Sequence, residues 1–281
     1  MVFQGCFDDQ IIVDNHAVNG RSSKSFLDEG RWQKILDKMQ PGDYVIIQFG
    51  HNDEKKFPNR YTIPGGTFDA HLAKYVNETR QKGGIPVLMN SVVRRCYYSA
   101  DLENDDDENL RGKAYAGEEK INSDTLIDTH GAYVVAPRHV AKALNVPFVD
   151  ATKITHDIET GLGLKGSRKL HMWLLPGENP QVSKSTQQNT HYNVYGAHVV
   201  ANALADALAE QVPALKKHVR HYDYVVSAEG RGNYMKLQEA VDAVPANSSA
   251  TILVLGGKWK KPANMEGKSI RFVKQFGAAI E

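Results

Sequence analysis

Gly42-Asp43-Tyr44-Val45-Ile46-Ile47-Gln48-Phe49-Gly50-His51-Asn52-Asp53 opens on a turn pair and runs through six residues rich in β-branched and aromatic side chains. It then breaks at Gly50 into three polar residues. That pattern reads as a buried strand whose carboxyl end delivers polar groups to a surface. In open α/β sheets, ligands bind outside the carboxyl ends of the strands. An Asn placed there can aim its side-chain N–H at a developing oxyanion. Alone, the segment reads more simply as a strand ending in a polar turn, so its neighbours decide.

Upstream, Gln10 to Val18 is a short β-branched run that reads as a strand, followed by the polar turn Asn19-Gly20-Arg21-Ser22-Ser23. Ser25 can cap a helix over about residues 26–39, ended by Pro41-Gly42. The unit is therefore expected to be βαβ, with Gly20 and Asn52 after successive parallel strands on one edge of the sheet. A backbone N–H at Gly20 and an amide at Asn52 would then converge on one small anion.

Downstream, a loop rich in Pro, Gly and Lys spans residues 55–66, a helix fits 68–82, and 85–93 is the next strand. Arg94-Arg95 at its end reads either as a solvated face or as a site for an acidic sugar. Residues 99–123 are a polar insertion holding Asp105-Asp106-Asp107-Glu108, which lacks the spaced pattern of an EF-hand calcium loop. A helix over 134–144, with Pro137 arguing for a start near it, leads to a short strand at 145–150. Irregular chain is expected to Lys184. The last helix of this half runs from about Val194 to Glu210, and His191 stands just ahead of it, where a side chain can face a cleft.

Composition narrows the class. Lys plus Arg number 34 against 33 Asp plus Glu, so no global field points to nucleic acid or to a membrane. No apolar run is long enough to span a bilayer, and the first residues have neither the basic nor the hydrophobic region of a signal peptide. Two cysteines, Cys6 and Cys96, make no disulfide framework or metal set, although one bridge is open to them.

Three blocks stand in one order: Asn15-His16-Ala17-Val18-Asn19-Gly20-Arg21-Ser22-Ser23-Lys24-Ser25-Phe26, then Gln48-Phe49-Gly50-His51-Asn52-Asp53, then Asn189-Thr190-His191-Tyr192-Asn193-Val194-Tyr195-Gly196-Ala197. Together they resemble the SGNH (GDSL-like) hydrolases, in particular their rhamnogalacturonan acetylesterase branch, over about residues 2–212. The resemblance implies an α/β, flavodoxin-like, three-layer parallel sheet. It also implies hydrolysis of acetyl esters on pectic polysaccharide, with no cofactor and no metal, in a secreted or periplasmic setting. By the same resemblance, Gly20 and Asn52 serve the oxyanion hole, and His191 takes the proton from a nucleophilic serine. A histidine near neutral pKa can act first as base and then as acid.

Two departures matter. The family's Asp, three residues before the histidine, is Gln188 here. Glutamine can accept a ring N–H but cannot stabilise an imidazolium by charge. The family's opening strand with Gly-Asp-Ser, the source of the nucleophile, has no counterpart in the 281 residues. Ser22 and Ser23 match a different segment of the pattern. The expectation is a chain cut at its start, inactive as it stands, with residues 11–18 lacking a neighbour and residues 44–49 an exposed apolar edge. The rival expectations are a pectin-binding pseudoenzyme and a bare gene fragment.

Past Pro213, a charged connector leads to Tyr222–Tyr234, a short helix over 237–244 and a strand over 251–255. Gly230-x-Gly232 is a poor nucleotide signal without its βαβ context. The segment resembles the opening of a pectin methylesterase, a right-handed parallel β-helix, ending before that family's catalytic carboxylates. A small capping subdomain is the other reading. Two units are expected: residues 1–215, acetylesterase-like, and residues 222–281, a solenoid start that buries little without later coils.

Overall fold

Alternation along three short strands decides which layer each helix joins. The computed structural model describes residues 2–8, 10–97, 123–176, 185–229 and 232–281. In it, β1 (Tyr44–Gln48), β2 (Ile85–Met89) and β3 (Phe148–Val149) form a parallel sheet in the order β1-β2-β3. Ile47 and Leu88 point to one face, Val87, Met89 and Val149 to the other, as the two-residue period of a strand requires.

The first face is covered by α1 (Ser23–Asp28), α2 (Arg31–Lys38), α3 (Thr67–Gln81) and α4 (Ala132–Leu144), through Phe26, Trp32, Phe68, Leu72 and Val140. The second is covered by α6 (Val194–Gln211), whose Ala201, Ala205 and Leu208 pack with Phe7 near the start of the chain. The result is the expected α/β arrangement of a parallel sheet between helical layers.

Several boundaries moved for identifiable reasons. The single helix expected over 26–39 is two, because Gly30 takes a left-handed conformation at φ 65° and starts α2 afresh. Pro137 lies inside α4 rather than at its start. The irregular stretch expected after Asp150 contains α5 (Ala151–Ser167), capped by the Asp150 carboxylate, which accepts the Lys153 N–H at 3.2 Å. Gly161, Gly163 and Gly166 hide that helix in the sequence by lowering its propensity, and at Gly163 the backbone leaves helical geometry.

The strand expected over Gln10–Val18 is not formed. Its backbone bonds go to side chains instead: Val13 N–H to Gln4 Oε1 at 2.7 Å and Ala17 N–H to Asn15 Oδ1 at 3.0 Å. Ile12 is 87% exposed. A strand needs a neighbour to satisfy its polar groups, and among the described residues no strand flanks this segment. The outer edge of β1 is likewise unpaired among the described residues, and Tyr44 and Ile46 stay 37% and 38% exposed on its second face.

Residues 224–280 build parallel ladders of their own. β4 (Tyr224–Ser227), β5 (Ser249–Leu255) and β7 (Ser269–Gln275) form one sheet in that order. β6 (Lys258–Trp259) pairs with β8 (Ala279–Ile280) in a second. Against the expectation that this segment buries little, α7 (Leu237–Ala243) closes its end and seals Val226, Val241, Ile252 and Val254 to no exposure at all. The connector is tied down rather than free: Asp8 N–H donates to His218 O at 2.9 Å, and Arg220 pairs with the Asp8 carboxylate at 3.0 Å. Cys6 and Cys96 are both free thiols, so the bridge open to them in the sequence is not made.

Candidate active site

Asp53, fully buried, joins the two turns that carry Gly20 and Asn52. Its carboxylate accepts the Ser23 N–H at 3.0 Å, the Ser23 hydroxyl at 2.5 Å, the Thr62 hydroxyl at 2.9 Å and the Gly50 N–H at 3.2 Å. Burial pushes the Asp53 carboxyl up to about 6, and these donors pull against that without cancelling it. The βαβ geometry was expected to bring Gly20 and Asn52 together. With no strand at 10–18, this side-chain clamp holds their turns instead. Ser22 is the N-cap of α1, accepting the Ser25 N–H at 3.1 Å, and both Ser22 and Ser23 are sealed from solvent. Neither is placed to act as a nucleophile.

The turn after β1 also depends on Gly50. Its φ of 142° is open to glycine and strained for L-residues, and a Cβ there would overlap Ser91 Oγ. Gly50→Ala is expected to lower stability by about 2–3 kcal/mol, read as a shift in the urea midpoint at constant slope.

Arg60 lies across the pair. Its Nη1 donates to Asn52 Oδ1 at 3.4 Å, and its Nη2 would be 3.5 Å from a Cβ at Gly20. That contact fixes which end of the Asn52 amide faces away from Arg60, leaving the N–H end free to donate.

His191 is exposed at the end of a loop that buried side chains hold in place. Its Nδ1 faces Gln188 Oε1 in a short contact, so glutamine does accept the ring N–H at the position where the family pattern has Asp. The loop is fixed two residues earlier, where Asn189 Oδ1 accepts from Trp173 Nε1 at 3.0 Å and from Arg95 Nη1 at 3.2 Å. Arg95 is fully buried and also donates to Ser167 and to the Leu164 carbonyl, so it is unavailable to a sugar. Arg94 pairs with Glu54. Neither reading of Arg94-Arg95 holds: with Arg95 sealed and Arg94 largely buried on Glu54, the pair is not a solvated face, and neither guanidinium is offered to an acidic sugar.

His51 precedes Asn52 in the same turn. Its ring meets that of His130 edge-on, 4.3 Å between centroids, and its buried Nδ1 has no hydrogen-bond partner among the described residues. Desolvation, then the charges of His130, Arg94 and His191, hold it well below the usual histidine range, hence neutral. Burial alone would raise the neighbouring Glu54 carboxyl. The His130 hydrogen bond at 2.9 Å and the Arg94 charge outweigh that and hold it below its ordinary value. Asp53, Glu54, Arg60 and His130 carried no mark in the sequence beyond the polar residues after β1. The acidic run Asp105–Glu108 lies outside the described residues. Among the described residues, no group of three His, Cys, Asp or Glu is placed to hold a metal ion.

A parallel sheet thus lies between helical layers, with Gly20, Asn52 and His191 carried by loops. Residues 4–199 match the GDSL-like Lipase/Acylhydrolase family, and the chain belongs to it. It is 35% identical over 230 residues to the rhamnogalacturonan acetylesterase RhgT of Bacillus subtilis, covering 82% of this chain and 85% of that one. A rhamnogalacturonan acetylesterase of Emericella nidulans is 26% identical over 215 residues, 75% of this chain and 79% of its own. Among solved structures, the Bacillus subtilis protein YXIM superposes with a TM-score of 0.56 at 18% identity, over 76% of this chain and 50% of that one.

Proposed function

We propose that residues 1–215 carry the oxyanion and acid–base parts of a carbohydrate acetylesterase acting on acetylated pectic polysaccharide. In this reading Gly20 N–H and the Asn52 amide stabilise the tetrahedral oxyanion, each such donor contributing about 3–4 kcal/mol. His191 moves the proton, and Gln188 orients its ring. The observation that carries the reading is the clamp of the Gly20 turn onto the Asn52 turn through Asp53, in a chain whose relatives are rhamnogalacturonan acetylesterases. The nucleophile is the missing part. The chain has no Gly-Asp-Ser, and Ser22, Ser23 and Ser91 near these turns are sealed from solvent. The 281 residues alone are therefore proposed to bind without turnover.

The test is acetate release from acetylated rhamnogalacturonan by this chain and by His191→Ala. Neither is expected to exceed the uncatalysed rate. Turnover that disappears with His191→Ala would show a nucleophile within these residues and overturn the proposed inactivity. Turnover by both would remove His191 from the mechanism.

For residues 222–281, the proposal is the opening of a right-handed parallel β-helix of pectin methylesterase type. It is supported by the ladder Ser249↔Ser269 through Leu255↔Gln275 and the separate pair Lys258↔Ala279, where each turn of chain adds one parallel strand to each of two sheets.

A further inference from the structure

We propose that Arg60, with Phe57, forms a subsite for the carboxylate of an acidic sugar, placed within one sugar ring of the ester. The inference rests on the acetylesterase reading and adds to it the residues that would meet a carboxylate of that substrate.

Four observations converge. The Arg60 guanidinium donates to Asn52 and fills the space that a side chain on Gly20 would enter, beside the place where the oxyanion is proposed to form. It has no carboxylate partner among the described residues, unlike Arg94, Arg138 and Arg220, which pair with Glu54, Asp150 and Asp8. Its Cζ lies 5.7 Å over the Phe57 ring, which stays 51% exposed, so the aromatic steadies the cation and keeps free surface for a sugar's C–H face. The loop is held: Arg60 and Tyr61 N–H both donate to Phe57 O at 2.9 Å, and Lys24 Nζ to Pro58 O at 2.5 Å. A guanidinium fork held over an aromatic matches the planar, bidentate shape of a carboxylate. Lys55 and Lys56 in the same loop add positive charge, which favours an acidic polymer over a neutral one.

The test is calorimetric binding of trigalacturonate and of its fully methyl-esterified form, which keeps the backbone and removes the charge. Binding needs no turnover, so the result stands apart from that of the acetate assay. The chain is expected to bind the acid about 10-fold or more tightly than the ester. Arg60→Gln should erase that preference by lowering acid affinity to that of the ester, while Arg60→Lys should keep part of it. Equal binding of acid and ester by the unaltered chain, or binding of neither, overturns the proposal. So does an Arg60→Gln variant that loses both ligands equally, since Arg60 would then only position Asn52.

Discussion

A strand ending in Gly-Asp-Ser, fused ahead of residue 2, is expected to raise acetate release from acetylated rhamnogalacturonan by roughly 10³-fold or more over the present chain. The sheet has room for it. The outer edge of β1 is unpaired among the described residues, and Tyr44 and Ile46 remain more than a third exposed. Residues 11–18 join no ladder, with Ile12 almost bare. In a flavodoxin-like order the first strand lies between the second and third, so an added strand would pair with β1 on one side and residues 10–18 on the other. Its carboxyl end would deliver the serine to the edge that carries Asn52. The gain should vanish with His191→Ala, and amide exchange in β1 should slow as its edge is covered. A fused chain that folds, protects β1 and still releases no acetate would sink the reading of this site as an esterase.

Asp53→Ala is expected to cost about 3–5 kcal/mol of stability at pH 5, because it leaves the Ser23 and Gly50 N–H groups and the Thr62 hydroxyl without an acceptor, while the Ser23 hydroxyl keeps His71 Nδ1 at 3.1 Å. The penalty should depend on pH in a defined direction. The folded carboxyl sits at about 6 against 3.8 for its ordinary value, so the folded chain binds this proton more tightly than the unfolded chain. That contribution is fully present below about pH 3.8 and is lost as pH rises through 6, about 3 kcal/mol in all. Between pH 5 and 8 the penalty of Asp53→Ala should therefore shrink by about 1 kcal/mol. Urea titrations of both proteins at several pH values decide it. A penalty that grows with pH would mean that the ionised carboxylate is the form the fold prefers. In the fused chain the same substitution should lower turnover more than binding, since it frees the Gly20 turn from the Asn52 turn.

The strands β1 and β2 were legible because apolar runs bounded by Gly and Pro need no distant information. So were α3, α4 and α6, whose apolar faces recur at helical spacing. Gly20, Asn52 and His191 were legible as motifs in order. Their clamping was not. Asp53 reads as one more polar residue after a strand until Ser23 and Thr62 are found against it. Arg95 looks like half of an exposed basic pair and is fully buried, because its partners Ser167 and Asn189 stand far along the chain. The α5 helix was missed because three glycines lower local propensity, while Ala151 and Thr155 still bury completely in the fold.

By itself the sequence determined the periodicities, and with them the helical layers and the parallel sheet, together with the residue types available at each loop. Only the tertiary structure decided that residues 10–18 form no strand, that Asp53 fastens two turns, and that Arg60 lies beside Gly20 and Asn52. The reason is physical. Burial patterns are written locally, one face at a time, whereas a hydrogen bond needs its partner in place, and here the partners come from other segments of the chain.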